Sequence, residues 1–340
     1  MTPRIKYARS TDGVSIACYA IGDGSPLVYL TPGSHLEREW AYPEQRRWLE
    51  RLASRHRVVR LDLRGTGLSD RDAPFSPELA IRDIEAVRRS EGLTRFAIMG
   101  QLFTAATAML YASAYPDAVA GLLLWRPYAR VRDLLESSPA LQAARAAGEF
   151  DWITYTELIA QHATGWSDAD QSRRYAAYLR ESVSGEQYRR AVALLRDFDL
   201  TPRLAALTMP ALILHRRDTA FPTIDVVRKL ASHMPAARLV LLGGAAGVPF
   251  LGDTEAVAEA IEEFLAEHGR AQPPDGITGR ELEILTLLAG GSSNEDIARR
   301  LTISTRTVER HIGNIYRKIG AHNRAEATAY AFRHGLAGRS

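Results

Sequence analysis

Six short apolar runs, separated by segments of helical character, constrain the fold of this 340-residue chain more than any other feature. Each run has five to seven residues and shows little apolar–polar alternation, which is typical of parallel strands buried on both faces. The runs are PLVYLT (26–31), RVVRLDL (57–63), RFAIM (95–99), GLLLW (121–125), ALILH (211–215) and ARLVLL (237–242). Helical segments lie at about 44–54, 77–91, 105–115 and 254–267. The alternation predicts an α/β fold with a doubly wound, mostly parallel sheet and right-handed crossovers.

Two segments of residues 1–268 do not follow this alternation of strands and helices. Lys6–Ala8 and Ser15–Ile21 flank the turn TDG (11–13), a pattern that predicts an antiparallel hairpin at one edge of the sheet. Residues 127–207 carry helical patterns and no convincing strand, so we interpret them as a helical lid over the sheet. We therefore expect one α/β domain over residues 1–268 that includes this lid.

The composition excludes several classes of protein. A single cysteine, Cys18, excludes an intramolecular disulfide framework. The segment MTPRIKYARSTDG lacks the apolar core of a signal peptide, and no run approaches the roughly 18 uninterrupted apolar residues of a membrane span. These features favour a cytoplasmic protein that has no membrane partner.

The C-terminal part of the chain differs in charge from the rest. Residues 275–340 hold ten Lys or Arg and seven Asp or Glu, which accounts for the whole net charge of +3. A Pro- and Gly-rich stretch at 269–276 precedes most of this part and is predicted to be a linker. A small basic domain at 277–340, following an electrically neutral body, suggests a polyanionic partner.

Residues 277–336 show the pattern of four short helices. Thr278 and Glu281 are spaced as a capping box at the start of the first helix. The short turn at 302–304 leads from the second helix to a third that begins near Thr305. Two helices joined by so short a turn predict a helix-turn-helix, whose second member enters the DNA major groove.

The third of these helices separates into a core face and an outward face. Val308, Ile312 and Ile315 recur at helical spacing and are expected to face the core. On the other face, Arg310 can donate two hydrogen bonds to a guanine, which is worth ~1–3 kcal/mol of discrimination between bases. The residues expected to meet DNA are Thr305, Arg306, Thr307, Glu309, Arg310, Gly313, Asn314, Arg317 and Lys318.

This C-terminal stretch closely resembles the LuxR/NarL-type DNA-binding domain. The resemblance is carried by T-x-R-E (278–281), SNEDIA (293–298), ISTRTVERH (303–311), NIYRKIG (314–320) and NRAEA (323–327). It implies that the third helix reads double-stranded DNA and that the fourth, at about 324–334, mediates homodimerisation. The base-contact positions of the family correspond to Glu309, Arg310 and Gly313. Many members have lysine in place of Glu309 and a longer polar residue in place of Gly313.

Residues 1–268 resemble the α/β-hydrolase fold. The resemblance is carried by LVYLTPGS (27–34), VVRLDLRGTGLSD (58–70), IMGQLFTAATAMLYASAYPD (98–117), MPALILHRRDTAFP (209–222) and ARLVLLGGAAGVPFLGD (237–253). It implies a Ser-His-Asp triad, but Leu102 stands at the nucleophile position and Gly247 at the histidine position, while Asp218 stands at the acid position. Because acyl transfer needs a nucleophile and a base in contact, we expect no hydrolase activity and no catalytic residue.

Other side chains near these positions are weak substitutes for the triad. Thr104 lies two residues beyond the nucleophile position and points elsewhere, while His35 and His215 are expected to be surface or packing residues. A catalytic serine at such a turn has a positive φ, which leucine tolerates badly. We therefore expect either a relaxed turn or a Leu102 side chain that is held in place by packing.

The apolar residues at this turn allow two interpretations of the space between sheet and lid. Leu102 and Phe103 can line a cleft that suits an apolar ligand, or Leu102 can fill the cavity. The candidate pocket residues are Ser34, His35, Gln101, Leu102, Phe103, Trp125, Trp152, Asp218 and Val248. No metal or cofactor is expected.

These patterns together predict a bacterial one-component transcription regulator, associated with the nucleoid when it binds DNA. In the first hypothesis, a small apolar ligand binds the hydrolase-like domain and changes the spacing of two recognition helices in a homodimer. In the second, the domain is a ligand-free scaffold for dimerisation or protein docking. In the third, it is a hydrolase with unusual residues that is tethered to DNA.

Overall fold

A computed structural model describes residues 3–195, 198–268, 277–333 and Leu336 of the chain. The chain divides into two compact units, Met1–Arg270 and Ala271–Ser340. The first unit is built on a sheet, whereas the described part of the second consists of helices.

The sheet of the first unit has eight strands. They are β1 (Lys6–Arg9), β2 (Ser15–Ile21), β3 (Ser25–Tyr29), β4 (His56–Leu61), β5 (Phe96–Gln101), β6 (Val119–Trp125), β7 (Ala211–Arg216) and β8 (Ala237–Leu242). Their order across the sheet is β1-β2-β4-β3-β5-β6-β7-β8. β1 and β2 pair antiparallel, β2 is antiparallel to β4, and the remaining neighbours are parallel. The doubly wound, mostly parallel sheet and its edge hairpin are confirmed.

Helices connect most of these strands. Before the lid segment (residues 127–207) they are α1 (Arg38–Ala41), α2 (Pro43–Ala53), α3 (Pro77–Ser90) and α4 (Phe103–Ala114). Within the lid segment they are α5 (Val131–Glu136), α6 (Pro139–Phe150), α7 (Trp152–Thr164), α8 (Ala169–Ser182), α9 (Gly185–Leu195) and α10 (Thr201–Leu204). After it come α11 (Ile224–Ala231) and α12 (Thr254–His268). The sequence patterns missed the short helices α1 and α11, because four to eight residues give little periodicity to detect.

Alternate residues of the central strands face two separate apolar cores. Ile98 and Leu122 belong to one core, which also contains Met109 of α4. Met99 and Leu123 belong to the other, which also contains Phe264 of α12. Because successive side chains of a strand point to opposite faces, strands buried on both faces are apolar throughout, as the six runs indicated.

Two buried arginines near the hairpin edge of the sheet are neutralised by carboxylates. Arg60 on β4 places its Nη2 2.7 Å from Oε2 of Glu39, and both side chains are fully buried. Arg64 places its Nη2 2.7 Å from Oδ1 of Asp83, and its Nη1 lies 2.8 Å from Oδ2 of Asp12. A buried charge persists when it has such a partner, since the ion pair offsets the lost hydration.

The second unit contains four helices among its described residues. They are α13 (Gly279–Ala289), α14 (Asn294–Leu301), α15 (Thr305–Ile319) and α16 (Arg324–Arg333). The capping box of Thr278 and Glu281 is present, with both reciprocal hydrogen bonds. Val308 and Ile315 of α15 are fully buried and Ile312 packs against the same core, as the helical spacing predicted.

None of the described helices combines the length and apolar character that a membrane span requires. The described residues contain no group of three or more His, Cys, Asp or Glu side chains placed to hold a metal ion.

Candidate functional site

The turn between β5 and α4 has a backbone conformation that leucine rarely adopts. Leu102 has φ 51° and ψ −121°, and its N–H donates a 3.0 Å hydrogen bond to the carbonyl of Trp125. Gly100 allows the turn to close, because a Cβ there would collide with the carbonyl of Thr104. A positive φ costs a non-glycine residue roughly 1–3 kcal/mol. The turn is therefore not relaxed, so packing must hold Leu102.

Thr104 is fully buried and ties this turn to the neighbouring strand. Its Oγ1 accepts a hydrogen bond from the Gln101 N–H at 3.0 Å. The same hydroxyl lies 2.9 Å from the carbonyl of Gln101 and 3.1 Å from that of Leu30, just beyond β3. These contacts give Thr104 a structural role, because its only side-chain oxygen is occupied by backbone groups.

Leu102 and Phe103 pack against apolar side chains of the lid segment and the loop after β7. We call this group the elbow cluster; its buried members are Tyr128, Val131, Leu134, Leu141 and Phe221. Leu102 and Phe103 are half-buried against it. The ring of Phe103 also meets that of Phe75 edge to face, with 6.2 Å between centroids. Both residues thus supply the packing that offsets the strain of the turn.

Three residues stand side by side at the carboxyl edge of the sheet. Gln101 is in register with Trp125, and Trp125 is in register with Leu214. The residues that come next are Leu102 after β5, Arg126 after β6 and His215 within β7. Adjacent strands lie about 4.8 Å apart, so these three residues are neighbours. In open α/β sheets, ligands bind outside the carboxyl ends of the strands. This edge is the candidate site of the first unit.

Arg126 occupies the centre of this edge as a buried cation. Its side chain is almost fully buried, its φ is 50°, and its Nη1 donates a 2.5 Å hydrogen bond to the carbonyl of Gly247. Its guanidinium carbon lies 5.2 Å from the ring centroid of Phe221. Burial lowers the pKa of Arg126 to about 9, with a smaller lowering from Arg216, while Tyr175 acts in the opposite direction. No carboxylate among the described residues forms an ion pair with it.

Two imidazoles lie close to this guanidinium. His215 is the fully buried, penultimate residue of β7, and burial together with the charge of Arg126 lowers its pKa to about 4. His162 of α7 packs edge to face against Phe221 at 5.1 Å, and burial and Arg126 lower its pKa too. The Nδ1 atoms of both imidazoles are buried and have no hydrogen-bond partner in the described parts of the chain. The edge therefore carries an excess of hydrogen-bonding nitrogen atoms.

The remaining candidate pocket residues have separate surroundings. Ser34 and Val248 are buried, Trp125 is fully buried, and Gln101 is buried with an Oε1 that has no partner in the described chain. His35 is half-buried and its backbone N–H donates to the Tyr178 hydroxyl at 3.3 Å. Within the lid segment, Trp152 stacks on Tyr155 with 5.3 Å between ring centroids and meets the tilted ring of Tyr188 at 5.1 Å. These contacts place Trp152 in an aromatic group of α7 and α9.

A cavity of about 1110 Å³ lies within the lid segment. Its lining residues are Arg130, Arg132, Leu135, Glu136, Gln142, Arg145, Tyr188, Arg189, Val192, Ala193, Phe198 and Asp199. None of the nine candidate pocket residues lines it, but Leu135 and Phe198 also pack against the elbow cluster. The cavity thus adjoins the elbow cluster through Leu135 and Phe198, and Leu102 does not line it.

In the second unit, α15 presents an exposed polar surface. Arg306, Glu309, Arg310, Gly313 and Arg317 are exposed, and Thr305, Thr307, Asn314 and Lys318 are half-buried. A Cβ on Gly313 would meet no atom within 4 Å, which leaves an open place on the helix surface. Arg306 and Arg310 form no ion pair with the described residues, so both are available to an external anion.

Lys318 differs from Arg306 and Arg310 because it has a charged partner inside the unit. Its Nζ lies 2.6 Å from Oε2 of Glu281, the buried carboxylate of the capping box. Burial by itself raises the pKa of Glu281, but the hydrogen bond from Lys318 opposes this effect and helps to hold the pKa below its usual value. The ion pair joins α15 to the start of α13, so Lys318 supports the fold of the unit.

The chain was compared with known protein families. Residues 28–260 match the alpha/beta hydrolase family. The chain belongs to this family. Residues 275–331 match the luxR family of bacterial regulatory proteins, so a LuxR-type DNA-binding domain is fused to a hydrolase-fold domain.

Known relatives cover the two parts separately. The response regulator VraR of Staphylococcus aureus is 43% identical over 67 residues, which are 20% of this chain and 32% of that protein. The chain thus spans about a third of the length of the curated relatives that it matches. An esterase RhEst1 from Rhodococcus sp. covers 79% of this chain and all of its own, with TM-score 0.68 and 24% identity. An esterase from Thermogutta terrifontis covers 78% of this chain and 99% of its own, with TM-score 0.65 and 22% identity; these two structures show the fold.

The membership of the hydrolase family makes three positions informative. Leu102 occupies a turn with the backbone geometry of a nucleophile elbow. Gly247 has no room for a side chain, because a Cβ would collide with Nη1 of Arg126 and approach the His162 carbonyl to 3.1 Å. Asp218 is exposed, and its carboxylate has no hydrogen bond or ion pair with the described residues. The structure therefore does not bring the three positions together through side-chain contacts.

The sequence analysis missed Arg126 and His162. The signal for Arg126 was present, since it directly follows the apolar run GLLLW and polar residues at the carboxyl ends of parallel strands often face a site. His162 lies on a lid helix, and no local pattern indicates that it reaches Phe221. Its position depends on packing between segments that are distant in the sequence.

Proposed function

We propose that the protein is a one-component transcription regulator whose hydrolase-fold domain senses a small apolar ligand and does not hydrolyse it. The observation that carries this proposal is Leu102, which keeps the strained backbone of a nucleophile elbow and offers no nucleophilic atom. Arg126 occupies the space that a histidine at position 247 would need. A site that retains its backbone but not its reactive groups is suited to binding.

The DNA-binding part of the proposal rests on the LuxR-type domain. Residues Thr305, Arg306, Thr307, Glu309, Arg310, Gly313, Asn314, Arg317 and Lys318 form its DNA-facing surface. Arg306 and Arg310 are exposed and have no partner among the described residues, which suits contacts to phosphates and base edges. The proposed location is the bacterial cytoplasm, on the nucleoid when the protein is bound to DNA.

A homodimer is proposed through α16. Phe332 on this helix is 60% exposed, and Ala325 and Ala329 lie exposed on the same face at helical spacing. An apolar stripe of this kind fits a second copy of the helix, since α16 buries Ala327, Tyr330 and Ala331 against its own unit. The dimer would place two recognition helices on half-sites about one helical turn apart.

The substitution Arg310→Ala tests the DNA-binding assignment. Loss of one bidentate contact should weaken specific binding by about 1–3 kcal/mol, or roughly 5- to 150-fold, and relax specificity at one base pair. The measurement is a footprinting titration of the full chain on a duplex selected from a random library. Arg173→Ala, an exposed arginine of α8, removes the same charge and should leave the footprint intact. An unchanged footprint with Arg310→Ala would remove this side chain from the interface.

A second candidate function is a ligand-free scaffold. The packing of Leu102 and Phe103 into the elbow cluster favours it, because the space above the elbow is then occupied by protein. The third candidate, a hydrolase tethered to DNA, predicts turnover of activated esters that Asp218→Ala abolishes. We expect the full chain to hydrolyse p-nitrophenyl esters no faster than buffer; turnover that depends on Asp218 would establish the hydrolase instead.

A further inference from the structure

The first unit contains two kinds of buried arginine. Arg60 and Arg64 are paired with carboxylates. Arg126 is 3% exposed and Arg216 is 1% exposed, yet both donate to backbone carbonyls, and neither forms an ion pair with any described carboxylate. Because a buried cation without a counter-ion is costly, the second kind indicates an anion that comes from outside the chain.

Nitrogen atoms at this place also lack acceptors. The Nε of Arg126 and the Nδ1 of His162 are buried and have no hydrogen-bond partner among the described residues, and a neutral imidazole can carry its proton on Nδ1. The first N–H of the twelve-residue helix α4, at Phe103, has no acceptor within its helix, and the helix dipole is positive at this end. Buried polar atoms are normally satisfied, so a cluster of orphaned nitrogens predicts a ligand that accepts hydrogen bonds.

The positions of these groups favour one site. Arg126 directly follows β6, and Phe103, the first residue of α4, comes two residues after the end of the neighbouring strand β5. His162 approaches from the lid, and its ring and the Arg126 guanidinium both contact Phe221. Phe221 and Leu102 are part of the elbow cluster, so an apolar surface adjoins the cationic group.

We propose that Arg126, with His162, binds the carboxylate of a small monocarboxylate whose apolar body packs against Leu102 and Phe221. This inference rests on the proposed ligand-sensing function and names the chemistry of the ligand. A carboxylate accepts two parallel hydrogen bonds from a guanidinium and supplies the missing negative charge. Since His162 lies on α7, occupation of the site is coupled to the position of this lid helix.

The test compares three probes on the full chain: sodium octanoate, octan-1-ol and sodium acetate. Thermal unfolding followed by tryptophan fluorescence reports the first unit, because all five tryptophans lie in it. Octanoate should raise the melting temperature, and octan-1-ol should not. The substitution Arg126→Met should weaken octanoate binding about tenfold or more and should raise the melting temperature of the unliganded chain. The matched control, Arg60→Met, should lower that temperature because it leaves Glu39 buried and unpaired.

Each other outcome has a defined meaning. Equal shifts from octanoate and octan-1-ol, unaffected by Arg126→Met, would keep an apolar-ligand sensor and overturn carboxylate recognition. If acetate raises the melting temperature as much as octanoate does, the site binds an oxyanion. The ligand would then be a small anion, and the part of the proposal that requires an apolar body would be overturned. If none of the probes shifts the melting temperature, both the carboxylate assignment and the apolar-ligand sensor are wrong.

Discussion

Helix α15 and the carboxyl edge of β5, β6 and β7 both carry cations that form no ion pair with the described residues, in opposite environments. Arg306 and Arg310 are exposed, whereas Arg126 and Arg216 are buried. An exposed guanidinium keeps its hydration, so it lowers the stability of the fold little and can bind a polyanion. The buried guanidinium groups of Arg126 and Arg216 have lost their hydration and form no ion pair with a described carboxylate. We therefore expect the charge of Arg306 and Arg310 to affect DNA affinity, and the charge of Arg126 and Arg216 to affect the stability of the domain.

The tightest contact of the buried guanidinium gives the largest expected effect. Gly247→Ala should destabilise the first unit by about 3 kcal/mol, because its Cβ collides with Nη1 of Arg126 and presses on the His162 carbonyl. The measurement is urea unfolding followed by tryptophan fluorescence. In an Arg126→Met background the same change should cost clearly less, since the guanidinium is gone.

Gly243→Ala is the matched control for this prediction, because a Cβ there meets no atom within 4 Å. It should change the free energy of unfolding by less than about 0.5 kcal/mol. Equal costs of Gly247→Ala in the parent and in the Arg126→Met background would show that the two residues do not compete for this space.

The buried histidine beside Arg126 predicts a pH dependence. His215 has a pKa of about 4 in the folded chain against an ordinary value of 6.5. Between these values the unfolded chain binds the proton and the folded chain does not, so stability falls as the pH drops from 6.5 towards 4. The loss should reach about 2 kcal/mol near pH 5.

Unfolding by urea at neutral and acidic pH should therefore separate two variants. His215→Gln should remove this part of the acid sensitivity, while His233→Gln, an exposed histidine that follows α11, should retain it. Equal acid sensitivity in His215→Gln and the parent chain would mean that His215 has the same pKa in the folded chain as in the unfolded chain, and that burial does not keep its imidazole neutral.

Lys318, the cation of α15 that is paired with Glu281, should behave unlike Arg306 and Arg310. Lys318→Met should destabilise the second unit by roughly 1.5 kcal/mol, because it leaves the buried Glu281 without its charged donor. Hydrogen exchange of peptides from α13 measures this, and Arg310→Ala should leave the exchange unchanged. In DNA titrations below the unfolding transition, the order of the two variants should reverse: Arg310→Ala should bind DNA more weakly than Lys318→Met. Slow exchange retained in Lys318→Met would assign this lysine to the DNA surface alone.

Local patterns predicted the elements of the fold but only part of the candidate site. β8 begins and ends where the run ARLVLL does, and Val308 and Ile315 face the core as their spacing indicates. These features depend on neighbours within a few residues, so the sequence contains them directly. The buried state of Arg126 depends on contacts with Phe221 and Gly247, which lie about a hundred residues further along the chain. No pattern around position 126 contains that information.

The turn at Leu102 gives the smallest expected effect, about 1 kcal/mol, with an unusual sign. At φ 51° and ψ −121° the leucine is strained, and glycine can adopt this conformation freely. Leu102→Ala loses packing and keeps the strain, whereas Leu102→Gly loses the same packing and releases it. Glycine should therefore be the more stable variant in urea unfolding. Leu200 is the matched control, since it also precedes a helix as its cap but has φ −94°; there glycine should hold no such advantage. If alanine is the better residue at both positions, the packing around Leu102 has already relieved the strain, and the elbow backbone is retained at no cost to the fold.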